Sequence, residues 1–452
     1  MKKSLNQSMD FLIDSQTVTD LEIFEGRKAR KSVFKFFDRA ISYGGRRELL
    51  DIFSSPMSDI KKIRDRQELI VYINKENLSF PIDQHLLDFI ESYLHIPDKP
   101  VRVSRVNAWH KYLKYKLQPT NEYYLIQRGI IYVIDFLQDL YSIVTEEPKR
   151  DLPCLLEQLY KFITDSILNT ELQQIIGVNT KKKIGVMNRE RFDYIFRFCE
   201  FKRLKDILQI LYQLDAFQAV AATAIELGLV FPELSDSKEV EINGLYHPFV
   251  EDAVSNDVRL SERRNMFFVT GANMSGKSTF LKAFGVAVYL AHLGFPVAAA
   301  SMRTGVFNGL FSTINITDNL CTGYSHFYSE VHRVKNVAEE INRTGNLIVI
   351  FDELFRGTNV KDAYDASLAI ISAFAKVTGS VFLVSTHIME VADQLRHIEN
   401  IRFGYFHSAI DGKKPVYSYR LHEGVTEERL GMLIIENERI IEIIETGTSK
   451  TV

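Results

Sequence analysis

The stretch Gly271-Ala-Asn-Met-Ser-Gly-Lys-Ser278 has the spacing G-x-x-x-x-G-K-[ST], which is typical of a loop that binds nucleotide phosphates. A strand-type apolar run precedes it at residues 266–270, and a helix-compatible run follows at 280–290. The motif therefore lies between a strand and a helix. Its two glycines allow backbone angles that side chains would block, so successive N–H groups can turn toward phosphates at the positive end of the helix.

Within this loop the residue types predict separate roles. Lys277 is expected to reach the β- and γ-phosphates, and the hydroxyl of Ser278 is expected to bind Mg²⁺. The full set predicted to surround the phosphates is Gly271, Ala272, Asn273, Met274, Ser275, Gly276, Lys277, Ser278 and Thr279. The chain is therefore predicted to bind a nucleoside triphosphate together with Mg²⁺.

A pair of acidic residues follows a second apolar strand. The run Leu347-Ile-Val-Ile-Phe351 leads directly to Asp352 and Glu353. Asp352 is expected to hold Mg²⁺, directly or through water, and Glu353 is expected to orient and deprotonate the attacking water. Because a kinase for small molecules needs no such glutamate, the pair favours hydrolysis over transfer of the phosphoryl group to a substrate.

A histidine follows the next strand. Ser380-Val-Phe-Leu-Val-Ser385 leads to Thr386 and His387, at the edge of the sheet where α/β folds bind ligands. A lone histidine at the end of a strand is more often structural, but its order after the other two motifs favours a sensor of the γ-phosphate. We therefore place His387 among the predicted catalytic residues, with Glu353 and Lys277.

Composition places the chain among folded proteins without indicating a partner. Its 452 residues are 46% hydrophobic and 25% charged, which excludes a disordered protein and suffices for two or three domains. The formal net charge of −3 gives no overall attraction to nucleic acid or membrane, so any binding of a polyanion depends on local patches.

Cysteine usage and hydropathy predict a cytoplasmic protein without a membrane partner. Cys154, Cys199 and Cys321 are far apart and fit no metal-binding spacing, so we expect packing residues in a reducing compartment. The first ten residues lack the apolar core of a signal peptide, and no segment passes as a transmembrane helix.

The pattern of the chain changes near residue 235. Helical patterns precede this point, at 67–73, 121–144, 155–168 and 191–227. Strands alternate with helices after it, which predicts a mostly parallel sheet with both faces covered. We therefore predict an all-α domain over residues 1–234 and an α/β domain over residues 235–452.

Three motifs together resemble the ATPase core of MutS-type DNA mismatch-repair proteins. They are Thr270-Gly-Ala-Asn-Met-Ser-Gly-Lys-Ser-Thr279, Phe351-Asp-Glu-Leu-Phe-Arg-Gly-Thr358 and Ser385-Thr-His387. Within the wider ABC and SMC ATPases, the Asn-Met of the loop and the Arg-Gly-Thr after the acidic pair are specific to that family. Upstream, Phe37-Asp-Arg39 and Leu214-Asp-Ala-Phe-Gln-Ala-Val-Ala221 are similar to parts of its helical lever domain.

The resemblance implies a fold, a cofactor and a dimer. The fold is an all-α core or lever domain (residues 1–234, with the clamp domain shortened or absent) followed by an ABC-like α/β P-loop NTPase domain (235–452). ATP and Mg²⁺ are expected to bind between two protomers of a homodimer. Ser325 matches the serine that faces the nucleotide of the opposite subunit, and Asp362 falls where the family has an acidic residue at the subunit contact.

Departures from the family pattern limit these implications. A full mismatch-recognition protein has two further domains before the lever, the first with a Phe-x-Glu motif that reads the mispair, whereas here the lever pattern begins almost at Met1. The triplet Phe198-Cys-Glu200 lies in a helical stretch and is interpreted as core packing. The position where many relatives stack an aromatic ring on adenine falls near Ala253 or Val254, which leaves recognition of the base open.

These observations favour an ATP-dependent DNA-binding protein of MutS type. Hydrolysis of ATP to ADP and phosphate is expected to accompany closure of a homodimer on DNA, in mismatch repair or in the processing of branched DNA. Two alternatives stay open: an ATP-driven switch for protein assembly that does not contact DNA, and a P-loop kinase. Salt-sensitive DNA binding and stimulation of the ATPase by DNA distinguish the favoured function from the assembly switch.

Overall fold

The chain forms two compact units, each described here by itself. The computed structural model describes residues 11–25, 31–80, 82–97, 100, 121–146, 151–314, 326–355, 358–386, 388–411, 414–426 and 443. The sheet unit comprises the described parts of Met1–Phe36, Ser55–Arg64 and Leu227–Val452, and the helical unit comprises those of Phe37–Ser54 and Asp65–Glu226. No helix among these residues is long and apolar enough to cross a membrane.

Long helices occupy most of the first half of the described chain. The α-helices are α1 (Ser15–Asp20), α2 (Val33–Phe37), α3 (Tyr43–Phe53), α4 (Ile60–Glu76), α5 (Gln84–Leu94), α6 (Asn121–Glu146), α7 (Cys154–Leu168), α8 (Val186–Tyr194), α9 (Phe201–Leu227), α10 (Lys277–Leu293), α11 (His326–Thr344), α12 (Val360–Phe374) and α13 (Met389–Leu395). The helices predicted at 121–144 and 155–168 are confirmed as α6 and α7.

Strands are concentrated in the second half. They are β1 (Leu12–Ile13), β2 (Glu233–Ser235), β3 (Val240–Leu245), β4 (Asn256–Leu260), β5 (Met266–Gly271), β6 (Ser301–Gly305), β7 (Gly309–Thr313), β8 (Leu347–Asp352), β9 (Val381–Ser385), β10 (Ile401–Asp411) and β11 (Lys414–Glu423). They alternate with α10 to α13, the order predicted from the change of pattern near residue 235.

Seven of these strands form one mostly parallel sheet. Their order is β1-β7-β8-β9-β5-β10-β11, and every neighbouring pair is parallel except β10 with β11. Strands β5, β8 and β9 are buried along their whole length, as expected for apolar strands in a sheet covered on both faces. A smaller mixed sheet has the order β2-β6-β3-β4. The predicted combination of a helical part with a mostly parallel sheet is confirmed.

The segment that precedes the helical unit belongs to the sheet. Strand β1 runs parallel to β7, with Leu12 opposite Gly309, and residues up to Phe36 lie in the sheet unit. The sequence-based division instead placed this segment in the helical domain, over residues 1–234. The difference arises because a strand of two residues is too short to give a periodic signal.

In the helical unit, a buried carboxylate joins the start of α3 to α9. Asp215 accepts hydrogen bonds from the N–H groups of Ile41 (3.0 Å) and Ser42 (2.7 Å) and from the Ser42 hydroxyl (2.6 Å). Ser42 in turn caps α3 by accepting from the N–H of Gly45 (2.9 Å). A Cβ at Gly45 would lie only 2.1 Å from Asp215 Oδ2, so this contact requires glycine. Side-chain oxygens thus satisfy backbone N–H groups that the helix itself leaves unpaired.

A π-helical turn interrupts the helical stretch predicted at 191–227. Helix α8 passes into the turn Ile195–Cys199 before α9 begins. Because a π turn contains an extra residue, it rotates the side chains that follow it about the helix axis. Phe198 lies within this turn, is 62% exposed and stacks on Tyr194, with ring centroids 5.0 Å apart. The interpretation of Phe198 as core packing is wrong.

Two cysteines also differ from their predicted role. Cys154 and Cys199 are exposed thiols rather than packing residues. Cys154 begins α7 and Cys199 ends the π turn, so both lie at the ends of helical segments. Cys321 lies outside the described residues.

Candidate functional site

The phosphate-loop motif forms a turn between β5 and α10. Gly271 ends β5 with φ +143°, Gly276 precedes α10 with φ +106°, and Met274 between them has φ +67°. A side chain at Gly271 would meet Ser275 Oγ at 2.9 Å and the carbonyl oxygen of Phe406 at 3.2 Å. The path of the backbone therefore requires the glycines of the motif, because an L side chain would be strained at their angles and crowded at the first.

Lys277 places a positive charge inside this turn. It is only 4% exposed, and its Nζ donates hydrogen bonds to the carbonyl oxygens of Gly271 (2.8 Å) and Ala272 (3.0 Å). It is also the first residue of α10, and the unpaired N–H groups and dipole of a helix favour anions at this end. The ammonium group and the helix terminus thus create a positive potential in the same place.

Two oxygen ligands suited to a metal lie side by side at the C-terminal edge of the sheet. The Ser278 hydroxyl donates to Asp352 Oδ2 (2.5 Å), and the Ser385 hydroxyl donates to the other carboxylate oxygen. Mg²⁺ commonly takes one or two protein carboxylates and completes its shell with water and phosphate oxygens, so this pair fits it. In the part of the chain that the structure describes, no group of three or more His, Cys, Asp or Glu side chains could hold a metal ion.

Glu353 follows Asp352 in a strained backbone conformation. Its φ is +59°, and its N–H donates to the carbonyl oxygen of Ser385 (3.0 Å). Phe355, two residues later, has φ +64° and is buried. Such angles cost a non-glycine residue roughly 1–2 kcal/mol and persist where surrounding contacts fix the backbone, which is common at functional sites. Here they follow a buried strand and accompany a glutamate that lines a cleft.

The cleft beside these residues has a volume of about 490 Å³. This volume is within the range of small-molecule sites. The lining includes residues singled out from the sequence: Asn273, Met274, Gly276, Lys277, Ser278, Thr279 and Glu353. It also includes apolar and aromatic side chains: Val250, Val254, Phe406, Tyr419 and His247. The cleft therefore combines charged side chains with apolar and aromatic ones.

Tyr419 reaches the cleft through an irregularity in the β10–β11 hairpin. The register of the two strands shifts after Phe406, and Tyr419 has φ +54°. Asn256 fixes this path, because its amide donates to the Tyr419 carbonyl oxygen (3.0 Å) and its side-chain oxygen accepts from the N–H of Leu421 (2.7 Å). The ring lies close to the loop: a Cβ at Gly276 would be 3.3 Å from Tyr419 Cδ1. A bulge of this kind re-aims a side chain toward a site.

His247 forms an uncharged part of the cleft lining. Burial lowers its pKa to about 4, and Lys282 lowers it as well, while Glu22 acts in the opposite direction. Its Nδ1 accepts a hydrogen bond from the N–H of Phe249 (3.3 Å), which requires the neutral ring. At neutral pH the imidazole therefore contributes an aromatic surface to the cleft, not a charge.

Neither ring was predicted from the sequence as a site residue. Ala253 and Val254, near which the base-stacking position of relatives falls, both line the cleft, but with small aliphatic side chains. His247 lies in Tyr246-His-Pro-Phe-Val250, which is similar to the entry to the ATPase domain of MutS-type proteins, so a local signal existed for it. Tyr419 had no local signal, because its position depends on a register shift between two strands.

Three predicted residues are not placed in this cleft. His387 and Ser325 lie outside the described residues. Asp362 lies in the first turn of α12, where its N–H donates to Asn359 Oδ1 (2.9 Å) and its carboxylate accepts from the Asn359 amide (2.5 Å). It is exposed, and it is not among the residues that line the cleft. The roles of these three residues stay predictions.

Comparison with known families matches both parts of the chain. The profile of MutS domain III matches residues 16–221, and that of MutS domain V matches residues 267–450. The first match includes most of the helical unit, and the second includes the phosphate loop and the acidic pair.

Individual relatives agree with this result. A DNA mismatch repair protein MutS from Anaplasma phagocytophilum (strain HZ) is 35% identical over 223 residues, which are 49% of this chain and 27% of the relative. The protein of the same name from Persephonella marina (strain DSM 14350 / EX-H1) is 29% identical over 278 residues, 60% of this chain and 31% of the relative. The chain thus spans less than a third of the length of these curated relatives. Together, the two family matches and these relatives establish that the chain belongs to the MutS family.

Proposed function

We propose that the chain is an ATPase of MutS type that hydrolyses ATP in the cleft beside the phosphate loop. One observation carries the proposal: the positive turn at Lys277, the Ser278 and Asp352 pair, and Glu353 meet at one edge of the sheet. Hydrolysis needs all three functions in one place, namely phosphate binding, metal binding and a general base. A kinase for small molecules would not need Glu353, because it has no attacking water to deprotonate.

The residues are assigned separate tasks in this proposal. Lys277 and the N–H groups of the loop bind the β- and γ-phosphates, and Ser278 and Asp352 hold Mg²⁺, which neutralises charge on the phosphate oxygens when bound. Glu353 accepts a proton from the water whose oxygen attacks the γ-phosphorus. The bond between that phosphorus and the ADP oxygen breaks, and the products are ADP and inorganic phosphate.

The aromatic side chains of the cleft are proposed to bind the adenine base. The Tyr419 ring lines the cleft beside the loop. Stacking on an aromatic ring contributes roughly 1–3 kcal/mol per base. In this proposal Tyr419 provides the aromatic surface that the aliphatic residues at positions 253 and 254 lack.

Tyr419→Ala is expected to weaken ATP binding about tenfold, because it removes the stacking surface while the phosphate contacts remain. Titration of a fluorescent ATP analogue measures the change. Tyr405→Ala, in the same hairpin but outside the cleft lining, is the matched control and should leave the affinity unchanged. Equal affinities for the Tyr419 variant and the control would show that the base lies elsewhere.

ATP binding is further proposed to close a homodimer on DNA. Ser325 and Asp362 of one protomer would then complete the site of the other. Exposed Lys181, Lys182 and Lys183, just before α8, are the proposed contacts with DNA phosphates. The second candidate function, an assembly switch without DNA contact, is kept because the chain has a formal net charge of −3.

Binding of DNA is tested by measuring affinity and ATP turnover with homoduplex, mismatched and branched DNA at about 50 and about 200 mM salt. If the three lysines each neutralise one phosphate, the fourfold rise in salt should weaken binding by at least about tenfold, and their joint replacement by alanine should flatten this dependence. The proposal expects DNA to stimulate turnover. If DNA binding is not sensitive to salt and DNA does not stimulate turnover, the results favour the assembly switch.

A further inference from the structure

In the helical unit, the segment between Thr180 and Arg189 runs along helix α6. The Thr180 hydroxyl donates a hydrogen bond to Asp135 (2.6 Å), and Arg189 donates to the hydroxyl of Tyr123 (3.2 Å), nearer the start of the helix. Tyr123 and Asp135 are separated by about 18 Å along the helix axis, because each residue adds about 1.5 Å. The residues between Thr180 and Arg189 therefore lie beside this part of α6.

Tyr124 and Arg128 share the face of α6 that this segment contacts. Asp135 follows Tyr124 by eleven residues, which is a rotation of about 20° about the helix axis, and Arg128 follows it by four residues, about 40°. Gln138, on the same side of the helix, donates to the carbonyl oxygen of Ile175 (2.6 Å), just before the segment. The segment and the two side chains therefore belong to one surface.

Positive charge is concentrated on this surface. Lys181, Lys182 and Lys183, which directly follow Thr180, are exposed, and so is Arg128. Within the described residues, none of these four side chains forms an ion pair with a carboxylate. Residues 124–134 of α6 include no Asp or Glu. The surface therefore attracts anions, and phosphates in particular.

The ring of Tyr124 adds a flat group to these cations. It is 58% exposed, and the guanidinium carbon of Arg128 lies 5.7 Å from the ring centroid. Bases of nucleic acids stack both on aromatic rings and on guanidinium planes. In a paired duplex the faces of each base are covered by the neighbouring base pairs, so only an unpaired base can stack on a side chain. The ring therefore suits DNA with unpaired nucleotides.

We propose that the surface formed by Tyr124, Arg128 and the three lysines binds DNA that contains unpaired nucleotides. Tyr124 and Arg128 stack on an unpaired base, and the lysines bind phosphates of the adjoining strand. An acidic peptide would also pair with the lysines, but its carboxylates provide no flat group for the ring. This inference rests on the DNA binding in the proposed function and specifies the class of DNA.

The test compares a fully paired duplex with the same duplex interrupted by a short single-stranded gap that contains a fluorescent purine analogue. Affinity is measured by titration with the full chain, and the fluorescence of the analogue reports stacking. Three variants are compared with the unmodified chain: Tyr124→Ala, Tyr124→Phe, which keeps an aromatic ring, and Tyr43→Ala, which removes an exposed tyrosine from α3.

The unmodified chain is expected to bind the gapped duplex at least about fivefold more tightly than the paired duplex, because stacking adds to the phosphate contacts. Tyr124→Ala should weaken binding of the gapped duplex at least about fivefold and change binding of the paired duplex less than about twofold. It should also abolish most of the quenching of the analogue. Tyr124→Phe and Tyr43→Ala should match the unmodified chain. Because the Tyr124 ring is exposed, its loss should leave unfolding by urea unchanged.

Equal affinity of the unmodified chain for the two duplexes would overturn the inference, and so would an undiminished preference for the gapped duplex in Tyr124→Ala. In both cases salt-sensitive binding of the DNAs would leave the proposed DNA binding intact. If the chain binds neither duplex, the proposed DNA binding and the inference both fail. A preference for the gapped duplex that Tyr124→Ala removes supports the inference even if the chain hydrolyses no ATP.

Discussion

Glu353→Gln is expected to slow ATP turnover by on the order of 10²-fold or more while ATP affinity stays within about threefold of the unmodified chain. Glutamine has the size of glutamate and can keep the backbone at φ +59°, but its amide cannot accept the proton of the attacking water. Because ATP binding is proposed to close the homodimer and the variant does not hydrolyse the bound ATP, the closed homodimer should accumulate. Phosphate release and sedimentation with and without ATP measure the two effects.

A second carboxylate in the same cleft provides the control. Glu251 also lines the cleft, so Glu251→Gln removes an equal charge from the same volume. It should leave turnover within about twofold of the unmodified chain, because it is not assigned a proton transfer. Unchanged turnover in Glu353→Gln, or an equal loss in both variants, would remove Glu353 from its role as the base. If Glu353→Gln stays active and the chain transfers the γ-phosphate of ATP to an acceptor other than water, the protein is a kinase.

Lys277→Ala is expected to weaken ATP binding by on the order of 10²-fold. The substitution removes a charged hydrogen-bond donor, worth roughly 1.5–3 kcal/mol, and also leaves the carbonyl oxygens of Gly271 and Ala272 without their partner inside the loop. Isothermal titration with a non-hydrolysable ATP analogue measures the affinity, and unfolding by urea measures whether the variant has lost stability.

Lys335→Ala serves as the control for this prediction. Lys335 is an exposed lysine on α11 that pairs with Glu339, so its removal changes the net charge equally without touching the cleft. Affinity within about twofold of the unmodified chain is expected for it. If the Lys277 variant binds ATP as tightly as the control, the positive turn does not bind the phosphates.

Local motifs were predictable because their chemistry and their conformation reside in adjacent residues. The loop at 271–278 needs glycines at fixed positions, and the structure has both glycines at positive φ. The strand that ends at Asp352 was predictable from an uninterrupted apolar run, and it is buried along its whole length. The alternation of strands and helices along the chain was also enough to predict the mostly parallel sheet.

Features that depend on distant contacts were not predictable. Tyr419 faces the cleft only because the strand register shifts and Asn256 holds the backbone at φ +54°. Phe198 is exposed within a π turn, which an apolar pattern with a fixed period cannot indicate. The edge strand at Leu12 is stabilised by its pairing with Gly309, nearly 300 residues away in the chain.

Release of inorganic phosphate from ATP and Mg²⁺ by the unmodified chain decides whether this cleft hydrolyses ATP, with Glu353→Gln measured beside it. We predict steady release of phosphate that requires Mg²⁺ and is lost almost entirely in Glu353→Gln, although that variant still binds ATP. Tight ATP binding without phosphate release by the unmodified chain would show that the cleft does not hydrolyse ATP, and equal release by both proteins would show that Glu353 is not the base.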